Sequence, residues 1–114
     1  MDSKSSSLVQ GTMQMLILKT LALEPAHGYG IGVRIEQISK GIFRIKGGSL
    51  FPALVRLERE GLIAGDWRVT ENNRRAKYYA LTARGRAALR RETRTWEQQT
   101  AAIARIMSAS PAES

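Results

Sequence analysis

The chain has 114 residues, enough for one domain and too few for two, and without cysteine it can build neither a disulfide framework nor a thiolate zinc site. Lys and Arg number 18 against 10 Asp and Glu, a formal net charge of +8. The surplus is regional: residues 34–91 hold 14 basic and 5 acidic side chains, while residues 1–33 are neutral and residues 92–114 carry a net −1. At this level the bias leaves DNA, RNA, an anionic membrane and a simple solubility charge all open.

Taken in chain order, Met1 to Ser7 is polar and serine-rich, with no apolar core for a signal peptide, and is expected to be a disordered tail. The apolar stretch Met13–Leu23 is interrupted by Lys19 and is too short to span a bilayer, so a cytoplasmic, membrane-free protein is expected. Val9–Leu23 reads as a helix that is apolar nearly all round, with Met13, Leu16, Ile17 and Leu21 on one side and Met15, Leu18 and Ala22 on another. In so small a domain its second face is expected to meet another subunit. Pro25 and the Gly28 region end it.

A second helix is expected from Gly28 to Ser39, with Ile31, Ile35 and Ile38 as its core stripe and Gly41 as its stop. Ile42–Ile45, β-branched and aromatic, is compatible with a short strand, and Gly47-Gly48 with a turn. A third helix should run from Ser49 to Glu60. Leu50, Leu54 and Leu57 point inward there, and Ser49, Pro52, Ala53 and Arg56 share the opposite face. Pro52 is tolerated in a first turn, where the missing N–H has no intrahelical partner.

Leu62–Thr70 and Lys77–Thr82 read as strands around a polar turn, Glu71 to Ala76, in which Asn-Asn tolerates positive φ. From Ala83 to about Met107 the helical pattern returns, with Leu89, Trp96 and Ile103 every seven residues. The tail 108–114 is expected to be disordered. Residues 8–82 thus form an α+β, mainly helical unit, a winged helix-turn-helix, and residues 83–107 a long C-terminal dimerisation helix.

Two features point to nucleic acid. The outward face of the third helix is small at its N-terminal end, which lets a helix sit deep in a major groove, and it carries Arg56 one turn later, within reach of a guanine edge or a phosphate. Asn73, Arg74, Arg75 and Lys77 crowd cations onto the hairpin tip, where an anionic partner relieves their repulsion. Lys46, just before the third helix, adds a cation to the same surface. The lone His27 excludes a histidine-cluster metal site and lacks a partner for general-base catalysis, so a local hydrogen bond at a helix start is expected. No cofactor and no enzyme activity are expected. Trp67, on a strand, reads as core.

The segments His27-Gly28-Tyr29-Gly30, Gly48-Ser49-Leu50-Phe51-Pro52-Ala53-Leu54, Arg56-Leu57-Glu58, Gly61-Leu62-Ile63 and Arg74-Arg75-Ala76-Lys77-Tyr78-Tyr79-Ala80-Leu81-Thr82 occur in an order and spacing that resemble the PadR family of bacterial transcriptional regulators, in its short branch with one C-terminal helix. The resemblance spans about Val9 to Met107. It implies a homodimer that binds double-stranded DNA at a near-palindromic operator and represses. It also implies that Tyr29, Ser49, Pro52, Arg56 and residues 73–77 approach DNA. Family members commonly carry Tyr where this chain has Phe51, so a hydroxyl–phosphate bond is absent there and Phe51 is not counted as a contact. Met13, Leu16, Ile17, Leu89, Trp96, Ile103, Ile106 and Met107 are the expected dimer contacts. Trp96 fills the subunit interface in this reading, while some family members use an aromatic residue on this helix to stack on a planar ligand, so a small aromatic effector is the second role for it. A winged-helix adaptor for an acidic protein partner is the main rival.

Overall fold

The computed structural model describes residues 3–113, a helical body carrying a small antiparallel sheet. The apolar Met13–Leu23 run forms the C-terminal part of α1 (Ser3–Leu23). The helix therefore begins before the position expected from sequence: once a turn is nucleated, each added residue costs little, and the serine-rich segment continues it. Residues 1–2 and 114 of the expected tails lie outside the described residues. At the other end, a short 3-10 turn, Pro111–Glu113, follows the last helix where disorder was expected, its proline ring having preset one backbone angle.

After Pro25 the chain forms β1 (Ala26–His27), then α2 (Gly28–Ile38), α3 (Gly47–Arg59), β2 (Ile63–Val69), β3 (Arg75–Leu81) and α4 (Ala83–Ser108). The sheet has the order β1-β3-β2, both pairings antiparallel. Its third strand is Ala26–His27, paired with Tyr78–Tyr79, and not Ile42–Ile45. The latter segment has strand-like residues but no edge to pair with: Ser39 and the positive-φ pair Lys40 (55°) and Gly41 (82°) turn the chain away from the sheet. Its polar backbone stays at the surface, with Ile42 and Phe43 exposed.

The core lies between α1, α2, α3 and the proximal half of the hairpin. Ile17, Leu18, Ile31, Leu54, Leu57 and Ile63 are fully buried there, with Leu50, Ile35 and Tyr79 around them. Ile38 does not complete the stripe of Ile31 and Ile35; it is the last residue of α2 and is exposed. Among the described residues no buried side-chain polar atom lacks a partner, and no helix is long and apolar enough to cross a membrane.

Two backbone junctions fix the pieces. Gly61, with φ of 79°, ends α3, and Leu62 N–H donates back to Leu57 O at 3.0 Å. Thr82 then joins the hairpin to α4. Its Oγ1 donates to Gly61 O at 2.7 Å and accepts from Gly85 N–H at 3.0 Å, capping α4. Gly85 lies so close to this junction that a Cβ would fall 2.0 Å from Leu62 O.

Candidate nucleic-acid interface

The interface is built on the α2–turn–α3 unit and the hairpin. His27 caps α2, its Nδ1 accepting from Gly30 N–H at 3.0 Å, with the edge of Tyr78 packed on the ring at 5.3 Å. The single histidine thus does the local job expected of it. It also supports Tyr29, whose ring stacks at 6.4 Å and is 73% exposed on the α2 side of the surface.

α3 starts at Gly47, two residues before the expected start, because Lys46 takes the extended N-cap conformation and Ser49 and Leu50 N–H donate to its carbonyl. Gly47 and Gly48 form the first turn and were not a separate bend. No side chain caps this end, and both glycines are exposed. The helix has no acid in its first turn and Arg56 and Arg59 in its last. Its N-terminal N–H groups therefore face outward unshielded, a favourable place for a phosphate.

The inward stripe of Leu50, Leu54 and Leu57 is buried as expected. The outward face is rotated from the expected one. Ala53 is 5% exposed and belongs to the core; with no bulk beyond Cβ it lets α3 pack close to its neighbours, and it is not a groove contact. Gly48, Pro52, Val55 and Arg59, spaced four, three and four apart, are exposed, as is Ser49 at the margin. Val55 and Arg59 escaped the sequence reading because the face was drawn one position too far round the helix. Phe51 is half-exposed and lies over the glycine at the start of α2, where a Cβ on Gly28 would meet Phe51 Cε1 at 2.5 Å.

Arg56 is held sideways. Its Nη1 donates to Gln14 Oε1 on α1 at 2.9 Å and lies 3.6 Å from Glu60. Lys77 is likewise engaged, its Nζ donating to Glu58 Oε1 on α3 at 2.7 Å. The hydrogen bond it donates to Glu58 holds the Lys77 ammonium above its usual range, with partial desolvation opposing it. Lys77 therefore ties the hairpin to α3 and is not a spare phosphate ligand, a correction to its expected place in the wing. The partners that claim these two cations lie 42 and 19 residues away and left no local signal.

The wing proper is the hairpin tip. Asn73 takes φ of 59°, and Thr70 accepts from Asn73 N–H and donates to Arg74 O, closing the turn. Arg74 is exposed at the tip, and the Arg75 guanidinium sits 5.2 Å from the centre of the Trp67 ring. Trp67 is 57% exposed, so it is not core: β2 runs past the end of α3, and its distal half has no layer beneath it. The indole instead provides a platform that orients Arg75.

The apolar residues assigned to a subunit contact divide into two groups. Met13 and Ile17 are buried in the chain's own core, since their side of α1 faces the other helices and the sheet, and they are not available to a second subunit. Leu16 and Leu89 are half-buried against the same core. Trp96, Ile103, Ile106 and Met107 are 49–79% exposed along α4, whose residues 97–107 are all exposed. Met15, Leu16, Leu89, Thr93 and Trp96 line a groove of about 550 Å³ edged by Lys19, Arg90 and Arg94. Among the described residues no group of three or more His, Asp or Glu is placed to hold a metal.

A helix-turn-helix with an unshielded helix start, set beside a basic β-hairpin, defines a winged-helix DNA-binding protein. The profile of the transcriptional regulator PadR-like family matches residues 17–91, about two thirds of the chain, and the protein belongs to that family. It is therefore a DNA-binding transcriptional regulator and not an enzyme. It is 33% identical over 89 residues to the transcriptional regulator Rv3488 of Mycobacterium tuberculosis, covering 78% of this chain and 79% of that one. It is 44% identical over 79 residues to an uncharacterised 37.1 kDa protein in a transposon of Streptomyces fradiae; this covers 69% of the chain but only 21% of the length of that relative. A solved transcriptional regulator from Clostridium thermocellum superposes with a TM-score of 0.79 at 26% identity, covering 87% of this chain and 96% of that one.

Proposed function

We propose that the protein is a homodimeric repressor that binds a near-palindromic operator and is released by a small planar aromatic effector. The observation that carries the dimer is the distal half of α4. Trp96, Ile103, Ile106 and Met107 lie exposed on a helix of 26 residues, about 39 Å long at 1.5 Å per residue, that runs on beyond the core. Pairing two such helices buries those side chains and gives a two-fold protein for a two-fold site. The residues proposed to meet DNA are Tyr29, Lys46, Ser49, Pro52, Asn73, Arg74 and Arg75, all of them exposed, together with Val55 and Arg59. Arg56 contributes from the edge of this face.

The groove beside Trp96 suits a flat apolar ligand, and its rim of Lys19, Arg90 and Arg94 favours one carrying an acidic group. This reading places the protein in the bacterial cytoplasm, with its operator. The deciding experiment is light scattering on Ile103→Asp/Ile106→Asp, residues that α4 leaves uncovered, so the fold should survive. A monomer that retains its circular dichroism and binds operator weakly is the expected result. A dimer of unchanged affinity would remove α4 from the interface.

A further inference from the structure

Arg56 on α3, Gln14 on α1 and Glu92 on α4 form one hydrogen-bonded line across three helices. Arg56 Nη1 donates to Gln14 Oε1 at 2.9 Å, and Gln14 Nε2 donates to Glu92 Oε2 at 2.8 Å. The chemistry sets its polarity, because an amide offers an acceptor to a cation and a donor to a carboxylate from a single group. Turned over, the same amide would set NH₂ against the guanidinium and C=O against the carboxylate. All three side chains are partly buried, where such bonds are stronger than in open water.

The line also has a mechanical meaning. Among the described residues, the polar side-chain ties that leave α3 are two, both in its C-terminal half: Glu58 to Lys77 in the hairpin, and Arg56 to Gln14. Only the second leads on to α4, where Glu92 lies one turn before Trp96 and, with Thr12, Met15, Thr95 and Trp96, lines a second groove, distinct from the one edged by Lys19, Arg90 and Arg94.

We propose that Gln14 and Glu92 are positioning residues for DNA recognition: through Arg56 they fix the tilt of α3 relative to α4. Resting on the dimeric reading above, this makes the separation of the two recognition helices a property of the line. Arg56 acts first as its terminal cation, and a shift of α4 at the groove that Glu92 lines reaches α3 through it.

The test uses three forms of the full chain. Gln14→Leu removes both bonds at similar volume. Gln14→Glu keeps an acceptor for Arg56 but sets a carboxylate against Glu92. Gln14→Glu/Glu92→Gln rebuilds the line with the charge exchanged. In the free protein, amide hydrogen exchange across residues 47–59 should accelerate about fivefold in Gln14→Leu, the equilibrium effect of losing one hydrogen bond, and return to wild type in the double variant. Exchange in residues 28–38 should not move.

On DNA, the ratio of affinities for a selected operator and a shuffled duplex should fall about fivefold in Gln14→Leu and recover in the double variant. A residue that merely supports folding would lower both affinities together and leave that ratio unchanged. The proposal is overturned by unaltered α3 exchange in Gln14→Leu, by equal loss on both duplexes, or by a double variant no better than Gln14→Glu. A wild type that fails to distinguish the duplexes would defeat the operator reading instead, and α3 exchange would still decide the line.

Discussion

Two helical glycines should respond to alanine with opposite signs. In an unobstructed helix interior, Gly→Ala gains up to about 1 kcal/mol from reduced backbone entropy. At Gly85 a Cβ would stand 2.0 Å from Leu62 O, 3.0 Å from Leu62 C and 2.7 Å from Leu81 Cδ1. A methyl group does not fit there, and two of the three obstacles are backbone, so the start of α4 must lift away from the α3–β2 junction. Overpacking of this kind costs about 1–3 kcal/mol and more where backbone must move. The separation also stretches the Thr82 bonds to Gly61 O and Gly85 N–H. Net of the helix gain, Gly85→Ala should lose about 2 kcal/mol. For a domain of this size that lowers Tm by roughly 5–15 °C.

Gly48 is the control. Its Cβ would meet nothing within 4 Å, so Gly48→Ala should leave stability level or slightly raised. Because that methyl projects from the outward face of α3, operator affinity should fall all the same. Urea and thermal unfolding followed by circular dichroism measure both variants. A Gly85→Ala protein more stable than wild type would refute the packing of α4 on the Leu62 junction.

Arg74→Ala and Arg75→Ala should each weaken binding to specific and random duplexes alike and reduce the slope of log affinity against log salt by about 1, the signature of a lost phosphate contact; an unchanged slope would take that arginine off the DNA. Thr82→Ala should cost about 1–2 kcal/mol through loss of the α4 cap and the bond to Gly61 O, with Thr82→Ser recovering most of it in urea unfolding. Stability should decline at alkaline pH. The pKa of Lys77 is raised by its bond to Glu58 and that of Tyr79 chiefly by burial, so both groups hold their protons more tightly folded than unfolded. Their contributions are intact below the ordinary values of 10.0 for Tyr and 10.5 for Lys and are lost as pH rises above them. Glu58→Gln should flatten the Lys77 part of that decline, and a stability that rises above pH 10 would contradict both assignments.

Much of the fold can be read in local pattern. The apolar stripes of α1 and α3, the capping role of His27 and the positive φ of Asn73 follow from side-chain period and turn chemistry, and so does the order of elements that makes a winged helix. What pattern does not carry is depth. Hydrophobicity marks Trp67 and Ile38 as apolar, but their positions in the distal half of β2 and at the last residue of α2 leave them exposed. The same ambiguity sent Met13 and Ile17 to a subunit interface when they fill the chain's own core. A two-residue strand such as Ala26–His27 is too short to show a period and exists because β3 offers it an edge.

The surface proposed to face DNA is legible to a similar degree. Its location on α3 and the hairpin is a matter of sequence order and charge. Which cations are available is not: Lys77 and Arg56 look like Arg74 in sequence, yet Glu58 and Gln14 engage the first two from distant segments. Ala53 is buried where exposure was expected, and Val55, to which no role was given, is exposed, because a helical face drawn from four residues is set only to about one position, roughly 100° of rotation.

Selection of duplexes from a random pool by the wild-type protein tests the central claim most directly. A two-fold symmetric motif should be enriched, its half-sites one or more helical turns of 10–10.5 base pairs apart, as two α3 helices on one dimer require. Enrichment of no motif, with equal and strongly salt-dependent binding to every duplex, would mean that the basic hairpin holds DNA without α3 reading it.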